Sequence, residues 1–147
     1  MKNLLLKLIV VGRLRDVHYQ AKIAEFLKRL SAYAKLELVE LRDDSVEKES
    51  AAILKQLEHE RGRIVVLDEH GREFTSPEFA AELQNCDCKI VLVIGGAFGF
   101  TDAVRARADL VLALSKMTLT HELARLCLAE QLYRACTIMA GGKYHHE

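Results

Sequence analysis

Short, near-continuous apolar runs alternate along this chain with longer stretches in which apolar residues recur every three to four positions. The first pattern predicts buried β-strands and the second amphipathic helices. Strands are expected at residues 4–11, closed by Gly12, and at 36–41, 64–67, 89–94 and 110–114. Helices are expected at 17–33, where Ile23, Phe26, Leu27 and Leu30 keep helical spacing, and at 46–60, with Ile53, Leu54 and Leu57 inward. Three more follow at 76–85, 101–108 and 120–140. Ser76-Pro77-Glu78 marks a helix start, because serine can cap the first amides and proline suits the first turn. Asp68 ends the third strand, and Glu69-His70-Gly71 reads as a turn. Apolar strands separated by helices imply a mainly parallel sheet flanked by helices, in a single α/β domain over residues 1–147.

The last helix does not have one apolar face. Leu119, Leu123 and Leu126 fall on one side; Leu128, Leu132, Ala135 and Met139 fall nearly opposite. A helix apolar on two faces is covered on both. Either the rest of this chain or a second subunit supplies the second cover. Glu130 and Arg134 form a favourable i,i+4 pair on the polar strip.

Bulk properties narrow the setting. The chain has 147 residues, half of them apolar, and a net charge of zero. The apolar run near the start is short, is broken by Lys7 and has no small-residue cleavage site, which argues against a signal peptide. No segment is long enough to suggest a membrane span, so a cytoplasmic protein is expected. Cys86, Cys88, Cys127 and Cys136 read as reduced, mostly buried thiols, and no metal site is expected. The zero net charge hides an uneven distribution. Residues 1–30 carry Lys2, Lys7, Arg13, Arg15, Lys22, Lys28 and Arg29 against Asp16 and Glu25. Such asymmetry fits either a polyanion-binding face or an ordinary solvated helix surface.

Candidate chemistry gathers in the last third. The strand at 89–94 runs into Gly95-Gly96-Ala97-Phe98-Gly99, and the strand at 110–114 into Ser115-Lys116-Met117-Thr118. In an open α/β sheet, ligands bind at the carboxyl ends of strands. The glycines do not have Gly-x-Gly-x-x-Gly spacing and no Walker-type lysine follows, which disfavours dinucleotide and P-loop sites. A tight structural turn explains them as well as a cofactor does. Thr120 can cap the last helix, and Lys116 can meet a phosphate or carboxylate. His121 and the tail pair His145 and His146 can exchange protons near neutral pH. His18, His59 and His70 read as surface residues. No Ser-His-Asp order and no close pair of carboxylates stands out. The residues alone therefore stop at a small α/β domain with a ligand cleft.

Residues 91–99 and 114–121, Glu130-Gln131-Leu132-Tyr133-Arg134-Ala135 and the ending Tyr144-His145 closely resemble the RlmH family. So do Val11-Gly12-Arg13 and residues 67–71 and 76–83, so the likeness runs the length of the chain. The resemblance implies a SPOUT fold, with a C-terminal trefoil knot among the rare exceptions to unknotted topology. It implies a homodimer packed through the C-terminal helices. It also implies methyl transfer from S-adenosylmethionine to N3 of a pseudouridine in 23S ribosomal RNA, within the large subunit or the whole ribosome. By position, Leu67, Gly95, Gly96, Leu114, Ser115, Lys116, Met117, Thr118 and Leu119 would hold the cofactor, and Gly99 would help shape the pocket. Arg125, Arg134, Tyr144 and His145 would meet RNA. The proton acceptor is unassigned, with His121 and His145 as candidates and water as a third. The alternative is a non-catalytic ribosome- or nucleotide-binding module of the same fold. Family members usually carry proline before the histidine; Thr120 stands there in this chain, which bears on the rigidity of the last knot turn.

Overall fold

The computed structural model describes residues 3–146. Strands β1 (Leu4–Val11), β2 (Ala34–Leu41), β3 (Arg63–Glu73), β4 (Ile90–Ile94) and β5 (Leu110–Ala113) form one sheet in the order β2-β1-β4-β3-β5. Every pairing is parallel. The helices are α1 (Val17–Leu30), α2 (Val46–Leu57), α3 (Ser76–Gln84), α4 (Asp102–Arg107) and α5 (His121–Met139).

Side chains alternate across a strand, and here both sides of the alternation are apolar. Leu6, Leu8 and Val10 of β1, Val65 and Leu67 of β3 and Ile90, Leu92 and Ile94 of β4 point to one face. There they meet Leu30 of α1, Phe79 and Leu83 of α3, and Leu128, Leu132 and Ala135 of α5. Ile9, Val11, Ile64, Val66, Val91 and Val93 point to the other face, against Ile53 and Leu57 of α2 and Val104 of α4. Three layers result, with the sheet buried between helices. Lys7 interrupts the apolar run of β1 without breaking it: it is 8 % exposed, and its Nζ lies 3.4 Å from Glu60 Oε2.

Several expected boundaries move. Thr75, not Ser76, caps α3; its Oγ1 accepts from Glu78 N–H while Glu78 accepts from Thr75 N–H. The capping box displaces serine because the acidic partner stands three residues after Thr75. Strand β3 also does not stop at Asp68. It kinks between Leu67 and Arg72 and then pairs again, Arg72 with Leu112 and Glu73 with Ala113. Gly71 permits this: a Cβ there would lie 2.6 Å from Val111 O, so only glycine lets the returning strand approach β5.

One further expectation is corrected, and one open alternative is decided. Cys86 and Cys88 are disulfide-bonded, not free, since their Cα atoms are 5.4 Å apart and within bridging distance. Cys127 and Cys136 are free thiols, and burial pushes Cys136 up to about 11. The inner side of α5, through Leu128, Leu132 and Ala135, is covered by this chain's own sheet and α3, with Leu132 at 0 % exposure. Leu123 and Cys127 lie on the outward side and are only half-buried. Among the described residues no helix is long and apolar enough to cross a membrane. Leu132→Ala should therefore cost about 2–5 kcal/mol of folding stability as a core cavity, read as a lower urea midpoint at unchanged slope. A midpoint equal to wild type would show that this face is not core.

Candidate functional site

Because all strands run in parallel, β3, β4 and β5 deliver their carboxyl ends to one edge of the sheet. The loops that leave them enclose a cavity of about 750 Å³. Its walls come from Leu67 to His70 at the kink of β3, Gly95 to Phe100 after β4, and Leu114, Ser115 and Met117 to His121 after β5. Glu122 and Ala124 add the first turn of α5. The volume is typical of a small-molecule pocket.

The glycine loop is held from both sides. A Cβ on Gly95 would lie 2.6 Å from the Phe100 ring, and one on Gly96 2.7 Å from Glu49 Oε1. Neither position has room for a side chain, so the loop presents backbone to the cavity. A larger residue at Gly95 would strike Phe100 first, and any effect on a ligand would follow from displacement of that ring. Gly99 takes φ +76° and its N–H donates to Gly96 O at 3.1 Å, which closes the turn. Behind it, Thr101 N–H donates to the buried Ser50 Oγ at 3.0 Å. Glu49, 4 % exposed, accepts from Asp44 N–H through Oε2.

The β3 loop is fixed by charge. Asp68 Oδ1 accepts from His70 N–H at 2.9 Å, and Oδ2 from Arg105 Nε at 2.5 Å. Burial works against the Asp68 carboxylate, but these two donors outweigh it and hold its pKa below the ordinary 3.8. Thr118 Oγ1 donates to Glu69, which ties the β5 loop to the β3 loop. Ser115 Oγ accepts from Met117 N–H at 2.9 Å. Thr120 caps α5 by accepting from Leu123 N–H at 3.2 Å, so the helix starts normally with threonine there.

Of the residues expected at a cofactor site, Leu67, Gly95, Gly96, Leu114, Ser115, Met117, Thr118 and Leu119 all line this cavity. Lys116 does not: its side chain is 82 % exposed and pairs with Glu73 at 3.6 Å. His121 lines the cavity, whereas His145 does not. The tail folds back on α5 instead. Tyr144 Oη donates to Glu130 Oε1 at 3.0 Å, its ring lies 4.7 Å from the Arg134 guanidinium, and His145 Nδ1 is 3.1 Å from Arg134 Nη1. Burial, then the Glu130 hydrogen bond, raises the Tyr144 hydroxyl pKa. This cluster stands at the far end of α5, roughly 20 Å from His121 at 1.5 Å per helical residue.

Arg125, expected to meet RNA together with Arg134, Tyr144 and His145, is 4 % exposed. Its guanidinium donates to Val11 O and Gly12 O and pairs with Glu40, so it is not available to a ligand. Sequence reasoning missed Asp68, Arg105, Phe98, Phe100 and Glu122. Asp68 had a legible signal as the first polar residue after an apolar strand; the others depend on how the loops fold over. Among the described residues, no group of three or more His, Cys, Asp or Glu side chains could hold a metal ion.

A family model described as "Predicted SPOUT methyltransferase" matches residues 4–145. The "Ribosomal RNA large subunit methyltransferase H" of Gloeobacter violaceus is 47 % identical over 149 residues, covering 96 % of this chain and 98 % of that protein. Among solved structures, a probable methylase family protein from Haemophilus influenzae Rd KW20 superposes with a TM-score of 0.63 at 11 % identity, covering 97 % of this chain and 70 % of that one. The SpoU methyltransferase AviRb from Streptomyces viridochromogenes, solved with AdoMet, gives 0.54 at 16 % identity and covers 97 % of this chain. This chain spans 61 % of AviRb, and at these identities both structures speak to the fold alone.

The Asp68 geometry carries a pH dependence. A depressed folded-state pKa stabilises the protein above the ordinary carboxylate range, and the gain is lost as pH falls through 3.8 and below. Asp68→Asn should thus be less stable than wild type at neutral pH, with the gap closing below that range. A gap that does not change with pH would contradict the assignment.

Proposed function

The chain belongs to the SPOUT methyltransferase family, and from that premise we propose that it methylates N3 of a pseudouridine in 23S ribosomal RNA, using S-adenosylmethionine and acting on the assembled ribosome. The observation that carries this reading is the three-loop cavity, lined by eight of the nine residues expected to hold the cofactor. The cavity suits such a group in size. Its glycine loop offers backbone at close range, Leu67, Ile94, Leu114 and Leu119 give apolar wall, and Glu69 brings negative charge towards a cationic ligand, the Asp68 charge being matched by Arg105. When bound, S-adenosylmethionine supplies a methyl group already activated on a sulfonium. What the chain adds is position and exclusion of water, and alignment alone is worth several kcal/mol of a barrier.

The N3 proton of the target base has to leave, and His121 is the candidate that shares the cavity. His145 is held by Arg134 at the other end of α5. A second copy packed against the outward, half-buried side of α5 would carry the Tyr144 and His145 tail of one subunit towards the cavity of the other. The homodimer in this proposal therefore uses Leu119, Leu123 and Cys127, and the tail and Arg134 face RNA by stacking and charge. The trefoil knot belongs to the same reading, formed by the chain from β4 onwards as it returns from the sheet edge to lay α5 between α1 and α3. A ribosomal substrate implies a cytoplasmic protein.

Purified protein incubated with labelled S-adenosylmethionine and ribosomes lacking the modification should place label on N3 of a 23S pseudouridine. His121→Asn should slow turnover about 10²-fold, the scale of lost general-base help, with cofactor affinity kept. Ribosome binding without any label would favour the non-catalytic module instead. For the dimer, Leu123→Arg should sediment as a folded monomer; an unchanged dimer would put the interface elsewhere.

A further inference from the structure

The loop between β1 and α1 is built against the mouth of the cavity. Gly12 takes φ +90°, and a Cβ on it would lie 3.7 Å from His121 Nε2 and 4.0 Å from Asp43. Its N–H donates to Leu41 O at 2.9 Å, which sets the ends of β1 and β2 side by side. Three guanidinium side chains leave the surface from this point: Arg13, Arg15 and Arg42, all exposed. None of them has an ion-pair partner among the described residues.

The acids nearby are mostly engaged. Asp16 caps α1 by accepting from His18 N–H at 2.8 Å, and Asp44 accepts from Ser45 N–H at 2.8 Å. Glu40 pairs with Arg125 at 3.4 Å. Asp43 lies beside Gly12. Asp16, Asp43 and Asp44 all keep their negative charge, so the segment mixes both signs. What sets Arg13, Arg15 and Arg42 apart is that, among the described residues, none lies within ion-pair distance of a carboxylate, which leaves their guanidinium donors open to another anion beside the rim of the cavity.

Arg125 holds this rim in place. Its Nη2 donates to Val11 O at 3.0 Å and to Gly12 O, the last carbonyl before Arg13. It stands one helical turn after His121 on α5. One buried side chain therefore fixes both where the loop leaves β1 and how it sits against the cavity.

Resting on the methyl-transfer reading above, we propose that Arg13, Arg15 and Arg42 form a lip that binds RNA phosphates flanking the target nucleotide, with Arg125 as its positioning residue. A guanidinium fork matches phosphate oxygens in pairs and needs no base sequence. Phosphate contacts of this kind set register and leave base recognition to the pocket.

The test uses a variant carrying Arg13→Gln, Arg15→Gln and Arg42→Gln, assayed on ribosomes lacking the modification. KM for ribosomes should rise about tenfold or more, and the slope of log KM against log salt should fall by roughly two to three units. The calorimetric affinity for S-adenosylmethionine and kcat should stay at wild-type values. An unchanged KM and slope would overturn the lip, and so would a parallel loss of cofactor affinity. Arg125→Lys keeps the charge but cannot span both carbonyls, so it should also raise KM at wild-type kcat. A lower Tm with KM untouched would remove its positioning role. Wild-type turnover in the same assay separates the two levels. No transfer by wild type sinks the proposed function, whereas transfer with KM unmoved in the triple variant sinks the lip alone.

Discussion

Parallel pairing puts the ends of β3, β4 and β5 side by side, and the cavity exists because three loops leave from that one edge. The register is explicit: Val66 pairs with Val93 and with Val111. Leu67, where β3 kinks, lies opposite Leu112, and Ile94 and Ala113 end β4 and β5 close by, so the segment after each begins a wall. A parallel sheet requires helical crossovers and apolar cover on both faces. The two core clusters on opposite faces supply that cover. The site is therefore a consequence of burial that is completed well away from it.

The loops themselves are pinned by a few polar contacts that would mean little on a mobile surface. Arg105 to Asp68, Thr118 to Glu69 and Thr101 to Ser50 each tie a cavity wall to a rigid element. Arg125 does the same from α5 to the end of β1. A functional constellation needs this kind of support, because side chains locked by packing hold geometry that loops alone do not. Glu49 behind Gly96 and Phe100 behind Gly95 complete the arrangement by leaving the glycine loop no space to bulge.

Much of this was legible in the sequence, for identifiable reasons. Strands such as Ile90–Ile94 are apolar at every position, which only a doubly covered sheet allows. Thr120 and the glycines after β4 announced themselves by residue type. What was not legible depended on contacts distant in sequence. The return of β3 past Gly71 needs β5 as its partner, the burial of Arg125 needs the carbonyls of Val11 and Gly12, and the exposure of Lys116 needs Glu73. Leu128 and Leu132 were apolar for an internal reason, and nothing in periodicity distinguishes a neighbour in the same chain from one in another. The Cys86–Cys88 bridge likewise depends on a local turn geometry that spacing does not reveal.

Hydrogen exchange measured with and without S-adenosylmethionine tests the cavity most directly. Binding there predicts new protection at residues 67–70, 95–100 and 114–121, with the helices α2 and α3 unchanged. Protection confined to other segments, or none at saturating cofactor, would contradict the assignment of the three-loop cavity as the methyl-donor site.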